Sequence, residues 1–194
     1  MKHIILVTGY PGAGKTTLLK NLHKESTNLE TYWRCDSPFS AQSLRGLPKH
    51  SQVGSKWSFD DIEYVTAGCF RKSDTKKQGS DIFVSTPKYE VIDWLLTKGD
   101  ILIWESFNIG PQMVNRCLQR GQVTYLQLEL PRETAMERRD LRRDVAHGCA
   151  KAAADLQHFY DGVERRWERA NLTAATCITT KDALPTLKKV LKKC

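Results

Sequence analysis

The chain has 194 residues, 40% of them hydrophobic, and its 30 basic and 22 acidic side chains give a net charge of +8. This composition is ordinary for a globular domain, and no apolar run approaches the roughly 20 residues that a membrane-spanning helix needs. Six scattered cysteines without a Cys-x-x-Cys pair indicate free thiols and argue against a disulfide scaffold or a zinc site. The excess of positive charge favours a polyanionic partner.

The amino-terminal part predicts two strands and one long helix. The apolar run Ile4–Thr8 leads into glycine, as a buried parallel strand does, and Lys15–Lys24 predicts a helix that opens just after the glycines. Tyr32–Asp36 predicts a second strand. Residues 37–80 are polar and lack strong periodicity, and the pattern predicts at most a short helix near Phe59–Thr66.

The rest of the chain alternates strands with helices. Thr86 and Pro87 predict the start of a helix whose apolar face includes Val91 and Leu95. The further predicted strands are Ile101–Glu105, Val123–Leu130 and Ala174–Ile178, and the further predicted helices are Pro111–Arg120, Glu133–Val145, Cys149–Ala170 and Ala183–Lys193. This alternation predicts a parallel sheet with right-handed crossovers. We therefore expect a single α/β domain over residues 1–194, in which helices cover both faces of a five-stranded parallel sheet.

The segment from Gly9 to Thr16 fits G-x-x-x-x-G-K-[ST] at every fixed position. Glycines let successive backbone N–H groups curl round a β-phosphate, and the N-terminus of the following helix adds a positive dipole. The pattern predicts that ATP is bound with Mg²⁺: the lysine reaches the β- and γ-phosphates, and the last hydroxyl ligates the metal. The predicted nucleotide ligands are Gly9, Gly12, Ala13, Gly14, Lys15, Thr16 and Thr17. A chance glycine turn is the alternative, but a strand precedes the loop and a helix follows it, as the motif requires.

Two carboxylates end predicted strands near the same sheet edge. Asp36 ends the second strand, and a carboxylate there, beside the loop, could take the proton of an acceptor hydroxyl and aim its oxygen at the γ-phosphate. An ordinary turn aspartate is the alternative reading. Glu105 ends a later strand and is suited to hold a water molecule bound to Mg²⁺, or the acceptor. The alternative is an ordinary solvated residue at the end of a strand.

Arginines cluster in the helix predicted after Pro131. Arg138 and Arg142 are four residues apart and share one helix face, which could close over a triphosphate and neutralise the charge that develops during transfer. We interpret residues 131–147 as a lid, and Arg138, Arg142 and Lys15 as charge stabilisers. Acidic residues alternate with these arginines, so a solvated helix laced with salt bridges is the alternative.

Residues 37–80 mix cations with aromatic side chains, the usual combination for contact with nucleic acid. We interpret them as an acceptor-binding insertion in the domain, and the predicted contacts are Trp57, Arg71, Lys72, Lys76 and Lys77. The alternative is a flexible basic loop that has no role in binding. The predicted macromolecular partner is DNA, and no contact with a membrane is predicted.

These features together resemble the polynucleotide-kinase branch of P-loop kinases. The resemblance rests on the Gly9 to Thr16 loop, on Arg34-Cys35-Asp36, and on Leu130-Pro131 followed by the lid arginines. It implies a P-loop kinase fold, Asp36 as the catalytic base, and Arg34 beside the substrate. Two departures are that Ser37-Pro38-Phe39 lacks the family's usual second basic residue, and that a glutamate ends the third strand where an aspartate is common.

Residues 57–120 look like a narrower group, the bacteriophage kinases that phosphorylate 5-hydroxymethyluracil in DNA. The segments that carry this likeness are Ala67–Lys72, Gly79–Asp81 and Trp104–Phe107. The resemblance implies transfer of the γ-phosphate of ATP to that 5-hydroxymethyl group, a step of thymidine hypermodification. The apolar start of the chain, Met1 to Val7, is too short for a signal peptide, so we expect a cytoplasmic protein, in the infected bacterial host if a phage encodes it.

Other functions stay open at this point. A polynucleotide 5′-hydroxyl kinase would use the same loop and a different hydroxyl. A nucleoside or nucleoside-monophosphate kinase would act on free nucleotides, against which the net charge of +8 argues modestly. A nucleotide-gated DNA-binding module would lack phosphoryl transfer, against which Asp36 beside an intact loop argues.

Overall fold

The computed structural model describes residues 1–39, 50–68, 70, 88–144, 153–174 and 176–194. The strands are β1 (His3–Thr8), β2 (Thr27–Trp33), β3 (Gln52–Phe59), β4 (Ile62–Ala67), β5 (Ile101–Glu105), β6 (Gln122–Leu128) and β7 (Thr176–Thr180). The helices are α1 (Lys15–Lys24), α2 (Lys88–Leu96), α3 (Pro111–Leu118), α4 (Arg132–Asp144), α5 (Ala153–Thr173) and α6 (Ala183–Leu191). A single 3-10 turn, Arg34–Asp36, follows β2.

Within the described residues, seven strands form one sheet in the order β2-β3-β4-β5-β1-β6-β7. The strand β1 is fifth in this order and pairs in parallel with β5 on one side and β6 on the other. The strand β7 continues the parallel part beyond β6, and β4 joins β5 in parallel. The loop that follows β1 therefore leaves the middle of the parallel part of the sheet, with two parallel strands on each side.

The five-stranded parallel sheet predicted from the sequence is wrong, because the sheet is mixed. Strand β3 is antiparallel to both β2 and β4. The predicted short helix near Phe59–Thr66 is instead the turn and second strand of this hairpin, in which Phe59 pairs with Ile62 across two residues, Asp60 and Asp61, with positive φ. Backbone twist of this sign suits a two-residue hairpin, and aspartate tolerates it better than most side chains.

The second strand lies earlier in the chain than the sequence predicts. Tyr32–Asp36 was expected to be extended, whereas the strand ends at Trp33 and the chain then turns through Arg34–Asp36. The Arg34 N–H donates to the Ser51 carbonyl, and the Ser37 N–H and hydroxyl both donate to the Arg34 carbonyl. The first bond continues the pairing towards β3 by one residue, and the bonds from Ser37 close the turn in which the strand ends.

Helices cover both faces of the sheet, as expected. On β1, Ile5 and Val7 pack with α1 and α6, whereas Ile4 and Leu6 pack with α2, α3 and α5 on the opposite face. This alternation follows from the two-residue period of a strand. A smaller cluster joins the glycine-rich loop to α4 and α5, and its members are Tyr10, Ala135, Tyr160, Val163 and Trp167.

Most helix predictions are confirmed to within a few residues. The helix α1 has the expected bounds, whereas α5, predicted over Cys149–Ala170, is described from Ala153 onwards and ends later, at Thr173. Thr86 and Pro87, the predicted start of α2, lie outside the described residues, as do residues 145–147 of the predicted lid. Within the described part of the chain, no helix is long and apolar enough to cross a bilayer. The four cysteines described there, at positions 35, 117, 177 and 194, are free thiols, as predicted.

Candidate active site

The loop between β1 and α1 takes a conformation that depends on its glycines. The φ angles of Gly9, Gly12 and Gly14 are 151°, 98° and 86°, in the region that side chains with a Cβ rarely adopt. At Gly9, a Cβ would also lie 3.1 Å from the Cβ atoms of Ala13 and Leu128. The chain thus reverses tightly above β1 and enters α1 through Gly14, so the first N–H groups of that helix face the loop.

Lys15 is folded onto the loop. Its side chain is only 8% exposed, and its ammonium group donates to the carbonyl oxygens of Gly9 and Tyr10, both at 2.9 Å. These bonds hold a positive charge over the mouth of the loop. Oxygen atoms of a phosphate would be stronger, charged acceptors for the same group.

Thr16 and Glu105 meet at the mouth of the loop. The Thr16 hydroxyl donates to Glu105 Oε1 at 2.9 Å, and the glutamate is only 3% exposed. The contact arises because β5 directly neighbours β1, so that Glu105 lies level with Val7, the second-last residue of β1. A threonine hydroxyl beside a buried carboxylate is a set of hard oxygen atoms, as Mg²⁺ prefers.

These residues fit a magnesium ion that keeps its water molecules and substrate ligands. A cavity of about 150 Å³ at this point is lined by Thr16, Glu105, Lys15 and Phe107 together with loop backbone. Over the described residues, no cluster of three or more His, Cys, Asp or Glu side chains forms a cage for a metal. Mg²⁺ is commonly held by one or two protein oxygens plus phosphates and water, which is what this pair can provide.

A second cavity, of about 520 Å³, opens on the other side of the loop. Its walls include Ala13, Asn21, Leu128, Arg138 and Leu184, and it shares Gly12, Gly14 and Thr17 with the smaller cavity. Apolar side chains with a few polar groups are typical of sites for small organic ligands. The two cavities share loop residues and together form one cavity that runs along the loop, with the more apolar part on the side of α6.

Arg138 is the predicted lid arginine that reaches the loop in the described structure. Its guanidinium donates to the Gly12 carbonyl at 3.5 Å, a long contact from an exposed side chain. The side chain of Arg142 lies outside the described residues. Arg132, at the start of α4, is paired with Asp161 at 2.8 Å and Glu164 at 3.4 Å. These ion pairs tie α4 to α5.

Tyr10 connects the loop to α5, a contact that the sequence did not reveal. Its hydroxyl donates to the Glu164 carboxylate, and its ring packs on Tyr160 and Trp167 with centroids 5.3 and 4.7 Å away. Burial, and then the neighbouring carboxylate, raise the pKa of this tyrosine. The only sequence signal was an aromatic residue at a variable position of the loop motif.

Asp36 is not beside the loop, contrary to the sequence-based expectation. It lies at the carboxyl end of β2 and is exposed, but β3, β4 and β5 lie between β2 and β1. Strands are about 4.8 Å apart, so four spacings amount to roughly 19 Å. Its assignment as a catalytic base, and that of Arg34 as a substrate ligand, stay predictions.

The predicted acceptor contacts are only partly described. Trp57 lies on β3 and stacks on His23 of α1, away from the loop. Arg71, Lys72, Lys76 and Lys77 lie outside the described residues, so their predicted role stays a prediction.

Comparison with protein families matches residues 5–78 to the model of the viral superfamily 1 RNA helicase core domain. The matched segment is less than half of the chain. No curated protein matches. The match supports similarity to a P-loop NTPase domain. The mixed sheet, the helices on both faces and the loop at Gly9 to Thr16 agree with that similarity, which favours an enzyme dependent on a nucleoside triphosphate.

Proposed function

We propose that the protein is an ATP- and Mg²⁺-dependent kinase that transfers the γ-phosphate to a hydroxyl group of DNA. Its specific acceptor in this proposal is the 5-hydroxymethyl group of 5-hydroxymethyluracil. The observation that carries the nucleotide chemistry is the hydrogen bond from Thr16 to the buried Glu105 at the mouth of the loop. The acceptor rests on the sequence resemblance.

The donor side of the proposal uses side chains that already surround the loop. Lys15 would exchange the Gly9 and Tyr10 carbonyls for phosphate oxygens, which gives the triphosphate a buried positive partner. Thr16 and Glu105 would hold Mg²⁺, which supplies positive charge to the transferring group when bound. Arg138, within reach of Gly12, would neutralise charge that develops on the γ-phosphate.

The acceptor side retains Asp36 as the proposed base. A carboxylate in this role must lie within hydrogen-bond reach of the acceptor hydroxyl in the reactive complex. Because β2 lies at the sheet edge, this role requires that Asp36, the acceptor hydroxyl and the γ-phosphate come together in the reactive complex. The variant Asp36→Asn tests it: transfer lost with ATP binding intact supports the role, and unchanged transfer removes it.

The decisive experiment offers labelled ATP to several acceptors in parallel. They are DNA containing 5-hydroxymethyluracil, the same DNA with thymine and free 5′-hydroxyl ends, mononucleotides, and water alone. We expect label in the modified DNA. Label only at 5′ ends would make the protein a polynucleotide 5′-hydroxyl kinase, and label only in mononucleotides would end the proposal of a DNA substrate.

A second candidate is a nucleic-acid-stimulated NTPase, which the family match over residues 5–78 favours. Such an enzyme would transfer the γ-phosphate to water rather than to an alcohol. The water-only reaction separates the two: release of inorganic phosphate that nucleic acid stimulates, with no label in any acceptor, supports the NTPase and contradicts the kinase.

A further inference from the structure

A hollow of about 530 Å³ lies between α1 and the strands β2 and β3, apart from the nucleotide cavities. Its walls include Lys20, His23, Lys24, Thr31, Trp57 and Phe70. Lys24 is nine residues beyond Lys15 on α1, about 13 Å further along the helix axis. The hollow is therefore separate from the phosphate loop, and none of the lining residues in the described structure is acidic.

One wall is a stack of aromatic rings. The rings of His23 and Trp57 are nearly parallel, at 8°, with centroids 4.0 Å apart, and Phe70 meets His23 edge-on at 4.8 Å. The Trp57 indole N–H donates to Ser55 Oγ at 2.6 Å, and the Phe70 N–H donates to Gln52 Oε1 at 3.0 Å. The first bond fixes the orientation of the Trp57 ring and the second holds the backbone of Phe70 beside it, so the aromatic wall is present before any ligand arrives.

His23 has unused hydrogen-bonding capacity at this wall. It is 8% exposed, and its Nε2 has no hydrogen-bond partner within the described structure. Burial lowers the pKa of His23 to about 3, so the ring is neutral at neutral pH. A buried polar atom without a partner is costly and rare, and often points to a missing ligand or water.

The lining of the hollow also carries positive charge and polar groups. Lys20 and Lys24 are four residues apart and project from the same face of α1. Asn28 and Thr31 of β2 also line the hollow. Aromatic faces beside cations form the arrangement by which proteins hold an unpaired strand, since bases stack and phosphates pair with lysine.

We propose that this hollow binds one unpaired nucleobase of a nucleic acid strand, with the neighbouring phosphate on Lys20 and Lys24. The inference rests on the nucleic acid substrate of the proposed function, and it places the strand-holding contact away from the reacting hydroxyl. The predicted role of Trp57 in substrate binding thus becomes a stacking role at a distance from the chemistry.

The test measures the affinity of the full chain for a fluorescently labelled single-stranded oligothymidine by anisotropy. The variants are Trp57→Leu, which removes the stacking face, and Lys20→Ala with Lys24→Ala, which removes the charge. We expect Trp57→Leu to weaken binding by about tenfold or more, the loss expected for one base–aromatic stack. The double lysine variant should weaken binding and lower the slope of log affinity against log salt by about one per lysine.

Arg165→Ala is the matched control, since it removes one exposed charge from α5 on the other face of the sheet. Affinity for an ATP analogue, measured on every variant, shows that each still folds. Unchanged strand affinity in the folded lysine variant, or equal losses in Arg165→Ala, would overturn the inference. So would equal competition by free mononucleotide, because the hollow would then be a nucleotide pocket.

This outcome is separable from that of the proposed function. If the protein labels an acceptor but the variants of the hollow bind strands normally, only the inference about the hollow is wrong. If the hollow binds a strand but no acceptor is labelled, only the proposed kinase activity is wrong.

Discussion

The hydrogen bond from Thr16 to Glu105 joins side chains 89 positions apart in sequence. Its two oxygen-bearing groups are what the site offers to a hard cation, beside a lysine that already lies over the loop. A carboxylate in this position matters for its charge, since a neutral amide would keep the same shape and could still accept the threonine proton.

The variant Glu105→Gln therefore removes the negative charge of this side chain and keeps its shape. We expect the Mg²⁺ concentration for half-maximal ATP turnover to rise by about 10–100-fold, the usual range for removal of a group that supports a metal. The control is Glu129→Gln, just after β6 on the other side of β1, where the glutamate is half-exposed and pairs with Lys181. A magnesium dependence that is the same in both variants would contradict the role of Glu105.

The buried His23 predicts an acid-sensitive fold. Its pKa of about 3 lies below the ordinary value of 6.5, so the unfolded chain takes up a proton that the folded chain refuses. Stability conferred by neutral His23 is complete above about pH 6.5 and is lost as the pH falls towards 3. Burial also lowers the pKa of His3, so its protonation adds to the loss of folding stability as the pH falls.

His23→Asn should flatten this dependence. We expect the free energy of unfolding, from urea titrations at pH 7 to 4, to fall less steeply in the variant, by up to about 1.4 kcal/mol per pH unit. His158→Asn, at an exposed position of α5, is the control and should keep the slope of the unsubstituted protein. A His23 variant that keeps the same slope would show that the ring titrates normally.

At the scale of elements, Tyr10 joins the loop to α5, and Arg132 joins α4 to α5. The tyrosine hydroxyl and the guanidinium share the Glu164 carboxylate, and the ring of Tyr10 sits against α5. This arrangement couples the shape of the loop to the helix that carries Arg138. We expect Tyr10 to position the loop and not to touch the phosphates.

Tyr10→Phe removes that hydroxyl and keeps the ring. A hydrogen bond to a charged group contributes about 1.5–3 kcal/mol, so we expect a lower melting temperature and a higher KM for ATP, with kcat changed less. Tyr89→Phe is the control, because the ring of Tyr89 lies under Arg116 on another part of the surface. A fall in kcat with KM unchanged would place Tyr10 in the chemistry instead.

The elements that the sequence predicted well are those whose pattern of apolar, glycine and polar residues is contained within the element itself. Four apolar residues, then glycines, then an amphipathic run define β1, the loop and α1, and a continuous apolar run defines β5. The hairpin β3–β4 escaped prediction because its buried positions include polar side chains that satisfy one another. Ser55 and Thr66 are fully buried, and their hydroxyls lie 3.1 Å apart in a hydrogen bond.

The hairpin also explains why the predicted position of Asp36, beside the loop, was wrong. Sequence order suggests that consecutive strands lie side by side, but β3 and β4 separate β2 from the parallel core. Gly54 permits this arrangement, since a Cβ there would lie 3.0 Å from Leu95 of α2 and 3.1 Å from the Thr66 carbonyl. Such close packing depends on distant parts of the chain, which no local pattern records.

For the whole molecule, the net charge of +8 acts on any polyanion. If nucleic acid is the substrate, its affinity should fall by at least about tenfold between 50 and 200 mM salt, because released counterions drive binding to phosphates. Titrations of a labelled oligonucleotide at several salt concentrations measure this. Affinity that salt leaves unchanged would contradict electrostatic strand binding, and would favour a free nucleotide as the acceptor.

The central claim, that the loop at Gly9 to Thr16 with Glu105 binds Mg²⁺ and a nucleoside triphosphate, has one direct test. Calorimetric titration of a non-hydrolysable ATP analogue, with Mg²⁺ and with a chelator, compares the unsubstituted protein with Lys15→Ala. We predict binding that requires Mg²⁺ and is abolished in Lys15→Ala, while the variant keeps its melting temperature within a few degrees. No binding by the unsubstituted protein, or equal binding by Lys15→Ala, would contradict the claim.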